Sequence, residues 1–192
     1  MAAFNPSDTN NLIANRRSVY PKQYNGKPVA DAIVEQMLEN ANWAPTHGRT
    51  EPWRFVVFTG KGLEQLADLF QRNYKENTPA ESYDEGKYEK QRESILQSSH
   101  VIAIIMKRQE IEKIPEVEEV CAVACAVQNM WLTATAYGIG SYWSSPGVLD
   151  LLAKFAGIPE NQKCLGLYFM GYHDAPEAPA RRTPMENKIT WA

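Results

Sequence analysis

Between Asp31 and Pro45 the apolar residues fall at Ile33, Val34, Met37, Leu38 and Ala41. That three-and-four spacing lines one face of a helix, and Pro45 stops the run. "WRFVVFTG" (Trp53 to Gly60) is β-branched and aromatic and ends in glycine, which predicts a buried strand. "KGLEQLADLFQRNY" returns to the helical period, and "HVIAIIMK" is a second buried strand. "EVEEVCAVACAVQNMWLTATAYGIG" is almost wholly apolar after an acidic first turn. It predicts a central helix buried nearly all round, with its acidic start suited to the positive helix N-terminus and Gly138 or Gly140 as its stop.

The remaining segments are shorter. "SYWSS" reads as a short strand or turn, "PGVLDLLAKFAG" as a helix capped by Ser144 or Ser145 with Pro146 in its first turn, and "KCLGLYFMGY" as a further strand. "SDTNNLIANRRS" predicts a short N-terminal helix with Ser7 or Asp8 as cap. Residues 75–92, "KENTPAESYDEGKYEKQR", are charged without an apolar period and predict an exposed loop or excursion. The tail from His173 carries Pro176, Pro179 and Pro184, which suit neither core strand nor helix. Residues 173–192 are therefore expected to run extended over a surface, another subunit's included. No internal repeat or low-complexity tract interrupts the chain. Residues 1–192 read as one domain with helices on both faces of one sheet.

Composition narrows the classes. At 44% hydrophobic and 22% charged residues the chain is ordinary for a globular protein. Its net charge of −3 argues against general nucleic-acid binding, which needs a basic footprint. An anion site must then be a local basic cluster. The start lacks a basic region followed by an apolar stretch, so no secretory signal is expected. "VIAIIM" is far too short to cross a bilayer. Three cysteines, Cys121, Cys125 and Cys164, are odd in number and lack metal-ligand spacing. That predicts reduced thiols and a cytoplasmic location, with Cys121 and Cys125 as small core residues one turn apart.

Three stretches could carry chemistry. "NRRSVYP" places Arg16, Arg17 and Ser18 at a helix end, and "RRTP" (Arg181 to Pro184) offers more guanidinium at the other end of the chain. If they met they could clamp one phosphate, since charge-assisted bonds are about twice as strong as neutral ones; apart, they are solvated or dipole-compensating. "PTHGRTEPW" forms a polar loop between a helix and a strand, the usual place for binding groups. "GIGSYWSSPG" combines glycines that permit close backbone approach with serines before a helix. It is neither a dinucleotide fingerprint nor a P-loop. There is no G-x-S-x-G, no H-E-x-x-H and no paired-cysteine metal site. His47, His100 and His173 are scattered, and nothing marks an acid–base residue. An enzyme here would take its chemistry from an organic cofactor. A protein with solvated arginines and no cofactor remains the alternative on these residues alone.

Taken in order, "NRRSVYP", "APTHGRTEPWRFVVF", "YGIGSYWSS", "KCLGLYFMGY" and "ARRTPMENKITW" resemble the FMN-dependent nitroreductase family over nearly the whole chain. The resemblance implies an α+β three-layer fold: a central mixed, mainly antiparallel sheet flanked by helices, in an intertwined homodimer with exchanged C-terminal arms. It implies FMN as cofactor, NAD(P)H as electron donor, and nitroaromatic, quinone or similar electron-poor acceptors. Arg16, Arg17, Ser18 and Arg182 would hold the FMN phosphate and ribityl chain, and Trp143, Ser144 and Ser145 would line the ring. His47 and Glu51 would reach it from the partner subunit. Two departures stand out. Glu51 replaces the family's usual glutamine, and an ionised carboxylate offers no hydrogen-bond donor unless it is protonated or paired with Arg49 or Arg54. "WSSPG" replaces the commoner W-R-T-G, so a backbone donor must come from Ser145 or Gly147, because Pro146 has none. A flavin-binding carrier or sensor without turnover is the other reading these departures leave open.

Overall fold

The computed structural model describes residues 4–111, 113–174 and 181–192. Four strands, β1 (Trp53–Phe58), β2 (His100–Lys107), β3 (Ile139–Ser144) and β4 (Gln162–Tyr172), form one sheet in the order β1-β2-β4-β3. Every neighbouring pair is antiparallel. An isolated parallel bridge between Ser18 and Ser141 adds the mixed element.

Strand β2 explains the layering. Its side chains alternate across the sheet: Ile102, Ile104 and Met106 join the core against α2 (Asp31–Ala41) and α5 (Glu116–Ala136). Val101, Ala103 and Ile105 join the core against α3 (Lys61–Asn77) and α6 (Leu149–Phe155). Helices thus cover both faces, which is why β2 reads as an unbroken apolar run. These six side chains are at most 2% exposed, and their burial is worth on the order of 10 kcal/mol before chain entropy is counted. The fold is α+β with three layers, as expected.

Five local expectations need correction. The short helix α1 (Pro6–Asn15) is capped by Asn5, whose side chain accepts from the Ser7 N–H, rather than by Ser7 or Asp8. The proline at its first position sets that boundary. The stretch at 75–92 is not simply a loop: α3 runs to Asn77 and α4 (Glu85–Leu96) begins at the Asp84 cap. Helix α4 lacks a period because it buries only Ile95, and it is held to α3 through Arg92–Asp68 and Gln71.

Helix α5 is buried on one side only. Val117, Glu118, Cys121, Ala124, Cys125 and Gln128 are exposed, so Cys121 and Cys125 are surface thiols here. A continuous apolar sequence cannot reveal which face lacks a neighbour. Helix α6 starts at Leu149 behind Val148, not behind the serines. Ser144 ends β3, and Ser145 donates instead to the Leu165 carbonyl. Of the tail, residues 175–180 lie outside the described residues; residues 181–192 are exposed, with one 3-10 turn at Met185–Lys188.

Candidate functional site

The arginines from the two ends of the chain come within electrostatic reach of one another. Arg16 leaves the end of α1 and lays its guanidinium over the Trp131 ring, 4.5 Å from the centroid. Its Nη1 is buried, and among the described residues it has no hydrogen-bond partner. Burial lowers the Arg16 pKa, and the nearby charges of Arg182 and then Arg17 lower it further. The charges of Arg182 and Arg17 thus act on Arg16, whose buried Nη1 is an unanswered donor among the described residues. An unpaired buried charge is costly; an anion placed there removes that cost.

The two adjacent arginines do different work. Arg17 turns back, and its Nη1 donates to the carbonyls of Ala14 and Arg16 at 2.5 and 2.9 Å, closing the C-terminal end of α1 as basic residues do. The Arg17 carbonyl accepts from Trp131 Nε1 at 3.2 Å. Ser18 is exposed, with its backbone bridged to Ser141 on β3; the next N–H, of Val19, donates to the Ser141 carbonyl at 3.1 Å.

Behind this corner Tyr168 is fully buried, its hydroxyl donating to Ser141 Oγ at 2.6 Å. Its ring meets Trp131 edge-on at 5.8 Å. Burial pushes the Tyr168 hydroxyl pKa up, keeping it a neutral donor. Trp131, Tyr168 and Ser141 thus fix where Arg16 and Ser18 sit. Ser141 and Tyr168 fall inside the quoted "GIGSYWSSPG" and "KCLGLYFMGY" without having been named for a role, and Trp131 lies inside the apolar run of α5 and carries no motif.

Two residues along β3 from Ser141, Trp143 lies on the same face of the sheet and packs against the α2/α5 core. Its Nε1 donates to the Leu165 carbonyl at 3.2 Å. Opposite, Gly166 has φ +144°, and an added Cβ would overlap Trp143 Nε1 and the Ser144 carbonyl. The glycine is what lets "YWSS" lie down on β4, beside the register shift between Ile104 and Ile105. Ser144 pairs with Leu167, and Ser145 stands at the exposed edge.

The His47–Glu51 loop is elsewhere. It leaves α2, makes a 3-10 turn at His47–Arg49, and reaches β1 with Gly48, Arg49 and Glu51 all at positive φ. Positive φ is uncommon for residues other than glycine. Thr46 holds the conformation: its Oγ1 is 3.0 Å from Thr50 Oγ1 and accepts the Glu51 N–H at 3.3 Å. The Glu51 carboxylate is exposed and, among the described residues, has no ion pair. Arg54 donates to the Glu51 carbonyl at 2.8 Å, not to its carboxylate, so the anticipated pairing with Arg49 or Arg54 is absent.

His47 Nδ1 lies 2.6 Å from Glu118 Oε2 on α5. Both face a groove of about 340 Å³ lined by Pro45, Thr46, Val117, Cys121, Ala122 and Cys125. His100, by contrast, is buried between Asp31 and Ser99 and holds α2 to β2.

Helix α5 measures the gap between the two groups. Glu118 touches His47 near one end, and Trp131 stacks under Arg16 near the other. At 1.5 Å per residue these points are about 20 Å apart. Within one chain Arg16, Arg17 and Ser18 stand near the Trp131 end of α5, Trp143 to Ser145 continue along β3 from the Ser18–Ser141 bridge, and His47 and Glu51 lie near the Glu118 end.

The Nitroreductase family profile matches residues 13–172. A Bacillus subtilis protein provisionally named as an NAD(P)H nitroreductase, YfhC, is 27% identical over 182 residues, covering 93% of this chain and 91% of its own. The crystal structure of a nitroreductase-like family protein from Bacillus cereus superposes with a TM-score of 0.81 at 27% identity, covering 100% of this chain and 98% of that one. The FMN-dependent nitroreductase NfnB of Mycobacterium smegmatis, solved with NADPH, has the same fold: TM-score 0.77 at 18% identity, covering 97% and 98%.

Proposed function

The chain belongs to the nitroreductase family of oxidoreductases, and from that premise we propose that it is an FMN-dependent NAD(P)H oxidoreductase acting as a homodimer on nitroaromatic, quinone or similar electron-poor acceptors. The observation that carries this reading is the buried, unpartnered Arg16 Nη1 crowded by Arg182 and Arg17. A cluster of like charges with an open donor fits a phosphate-bearing ligand. Arg16, Arg182 and the exposed Ser18 hydroxyl would hold the phosphate end of FMN, with Arg17 beside them. Trp143, Ser144 and Ser145 would flank its ring. Bound FMN supplies two-electron hydride chemistry. The protein's own contribution is to orient nicotinamide and acceptor in turn and to exclude water.

A second copy completes the site. His47 and Glu51 lie about 20 Å along α5 from the same chain's Arg16 corner, so a second copy is the proposed source of these two residues at the ring. The exposed, largely apolar stripe of α5 runs from Val117 to Leu132. Its centre falls between Ala124 and Cys125, which is also the midpoint between Glu118 and Trp131. A two-fold axis crossing α5 there sets the helices antiparallel and carries each His47 to the partner's Arg16 end. Among the described residues no helix is long and apolar enough to cross a membrane, and a cytoplasmic location is part of the same proposal.

The visible absorption spectrum tests this first. The expected result is a yellow protein, or one that turns yellow with added FMN, in a ratio near one flavin per chain, bleached by NAD(P)H and restored by a quinone. A protein that takes up no FMN loses the reading. One that binds FMN without bleaching is instead the non-catalytic flavin carrier.

A further inference from the structure

The reactions proposed above move a hydride and also a proton, and no residue has yet been assigned to that proton. Among the described residues, the His47–Glu118 couple is an exposed histidine hydrogen-bonded to a carboxylate at the edge of a groove. A carboxylate oxygen only accepts, so Nδ1 carries the proton in the 2.6 Å bond. That fixes the tautomer and leaves Nε2 as the exchanging position. The same logic, a base oriented by an acid behind it, recurs wherever imidazole transfers protons. The His47 side chain is 63% exposed and that of Glu118 44%, so the ring can exchange protons with water.

The loop is also built to hold that ring. Three residues from Gly48 to Glu51 are at positive φ, and the Thr46–Thr50 contact locks them. Gly48 sits at φ +60°, and a Cβ there would displace the tip of the Ile114 side chain, whose Cδ1 would lie 2.8 Å away. Such strain persists only where the surroundings impose it and is concentrated at working sites.

From these observations, and resting on the flavin and dimer reading above, we infer that the His47–Glu118 couple of one subunit is the proton donor for the acceptor bound at the partner's Arg16 site. For a quinone, the hydride brings one hydrogen and an electron pair to the acceptor, which is reduced. The His47 imidazolium gives its Nε2 proton to the acceptor oxygen, yielding the hydroquinone, and becomes neutral. Water recharges the ring. NAD(P)H is oxidised to NAD(P)⁺, so each turnover consumes one NAD(P)H, one proton and one quinone. Glu118 holds the imidazolium charge while Nε2 faces the acceptor. Cys121 and Cys125 lie beside it on α5, and the loop itself adds Arg49 and Glu51; these are the other titratable groups around the ring.

The tests use the whole protein. In the flavin-free dimer, ¹⁵N shifts of the His47 ring should report a proton held on Nδ1 whether or not Nε2 carries one, and Glu118→Gln should shift the neutral ring toward the mixed tautomer. Ring shifts unaffected by Glu118→Gln overturn the couple. In the FMN-loaded protein, flavin reoxidation by a quinone should slow as pH rises. His47→Gln should abolish that dependence and lower the rate by about 10²-fold, the low end for general acids.

The decisive arm mixes subunits. An Arg16→Ala chain paired with a His47→Gln chain should bind one FMN per dimer, held by the only intact Arg16. The native His47 of the partner subunit serves that site, so the mixed dimer should keep the wild-type pH profile. A profile like that of His47→Gln means the histidine acts within its own chain or not at all, and overturns the inference. If wild-type protein takes up no FMN, the flavin reading falls and takes this with it. If it takes up FMN but His47→Gln leaves the pH profile unchanged, this inference alone falls.

Discussion

Arg16 shows how one residue can favour function over stability. Its guanidinium gains at most the ~0.5–1 kcal/mol usual for a cation over an aromatic ring, yet it feels the like charges of Arg182 and Arg17 and, among the described residues, leaves a buried donor unanswered. The sign follows from linkage. A base whose pKa is lowered on folding binds its proton less tightly in the native state, so its unfavourable contribution is fully present wherever it is charged, which includes neutral pH. Arg16→Met keeps the stem over Trp131 and removes the charge. It should unfold at the wild-type temperature or above, while FMN affinity falls by 100-fold or more. Thermal melts with and without FMN check both halves. At a free concentration of 100 times the wild-type Kd, FMN should add about 2.7 kcal/mol to the wild type and at most about 0.4 kcal/mol to the variant. A variant that melts lower and still responds to FMN would return Arg16 to a structural role.

At the scale of elements, two predictions separate what builds the site from what completes it. Gly166→Ala places a Cβ into Trp143 and the Ser144 carbonyl at φ +144°. The β3–β4 ladder must then shift, at a cost of about 2–4 kcal/mol, visible as a lower urea midpoint and altered Trp fluorescence. Cys125→Asp on α5 touches no core residue of the single chain, because its side is exposed. It should leave the circular dichroism spectrum unchanged, yet a carboxylate at the centre of the apolar stripe should split the dimer on sedimentation and remove bound flavin. Flavin-replete monomers would contradict the two-chain site. The same element shows where reading by pattern stops. An unbroken apolar sequence predicts α5 buried nearly all round, and only one side of it is. The pattern cannot tell a face covered by this chain's sheet from one left for another chain, and so Cys121 and Cys125 were expected in the core.

For the whole molecule, the tyrosines set the alkaline limit. Burial is the first cause of the raised pKa values of Tyr24, Tyr142 and Tyr168. An acid whose pKa rises on folding contributes stability that is full below its unfolded value of about 10 and is lost as pH climbs from there toward the folded-state values. Stability should therefore be flat from these groups through neutral pH and decline above about 10. Tyr168→Phe should make that decline shallower while costing about 1 kcal/mol at pH 7 for the lost Ser141 bond. Denaturant titrations across pH check it, and a decline as steep in the variant would mean that Tyr168 ionises freely.

Sequence by itself determined the elements and their layering, because local period and burial leave a direct imprint. The unbroken apolar run "VIAIIM", the helical stripe before Pro45 and the glycine that follows β1 each leave a signal along one short stretch. It also supplied, through ordered motifs, the residues to examine: Arg16, Ser18, His47, Glu51, Trp143 and Arg182. What it could not decide is which of these meet. Arg16 and Arg182 stand 166 positions apart in the chain, and their convergence depends on packing α1 against Trp131 and bringing the tail back to that corner. The division of labour between Arg16 and Arg17 depends on a turn at the end of α1. The pairing of His47 with Glu118 depends on how α2 and α5 pack against one face of the sheet. Local pattern is written in neighbouring residues; a site is written in distances between residues that only the folded chain brings near.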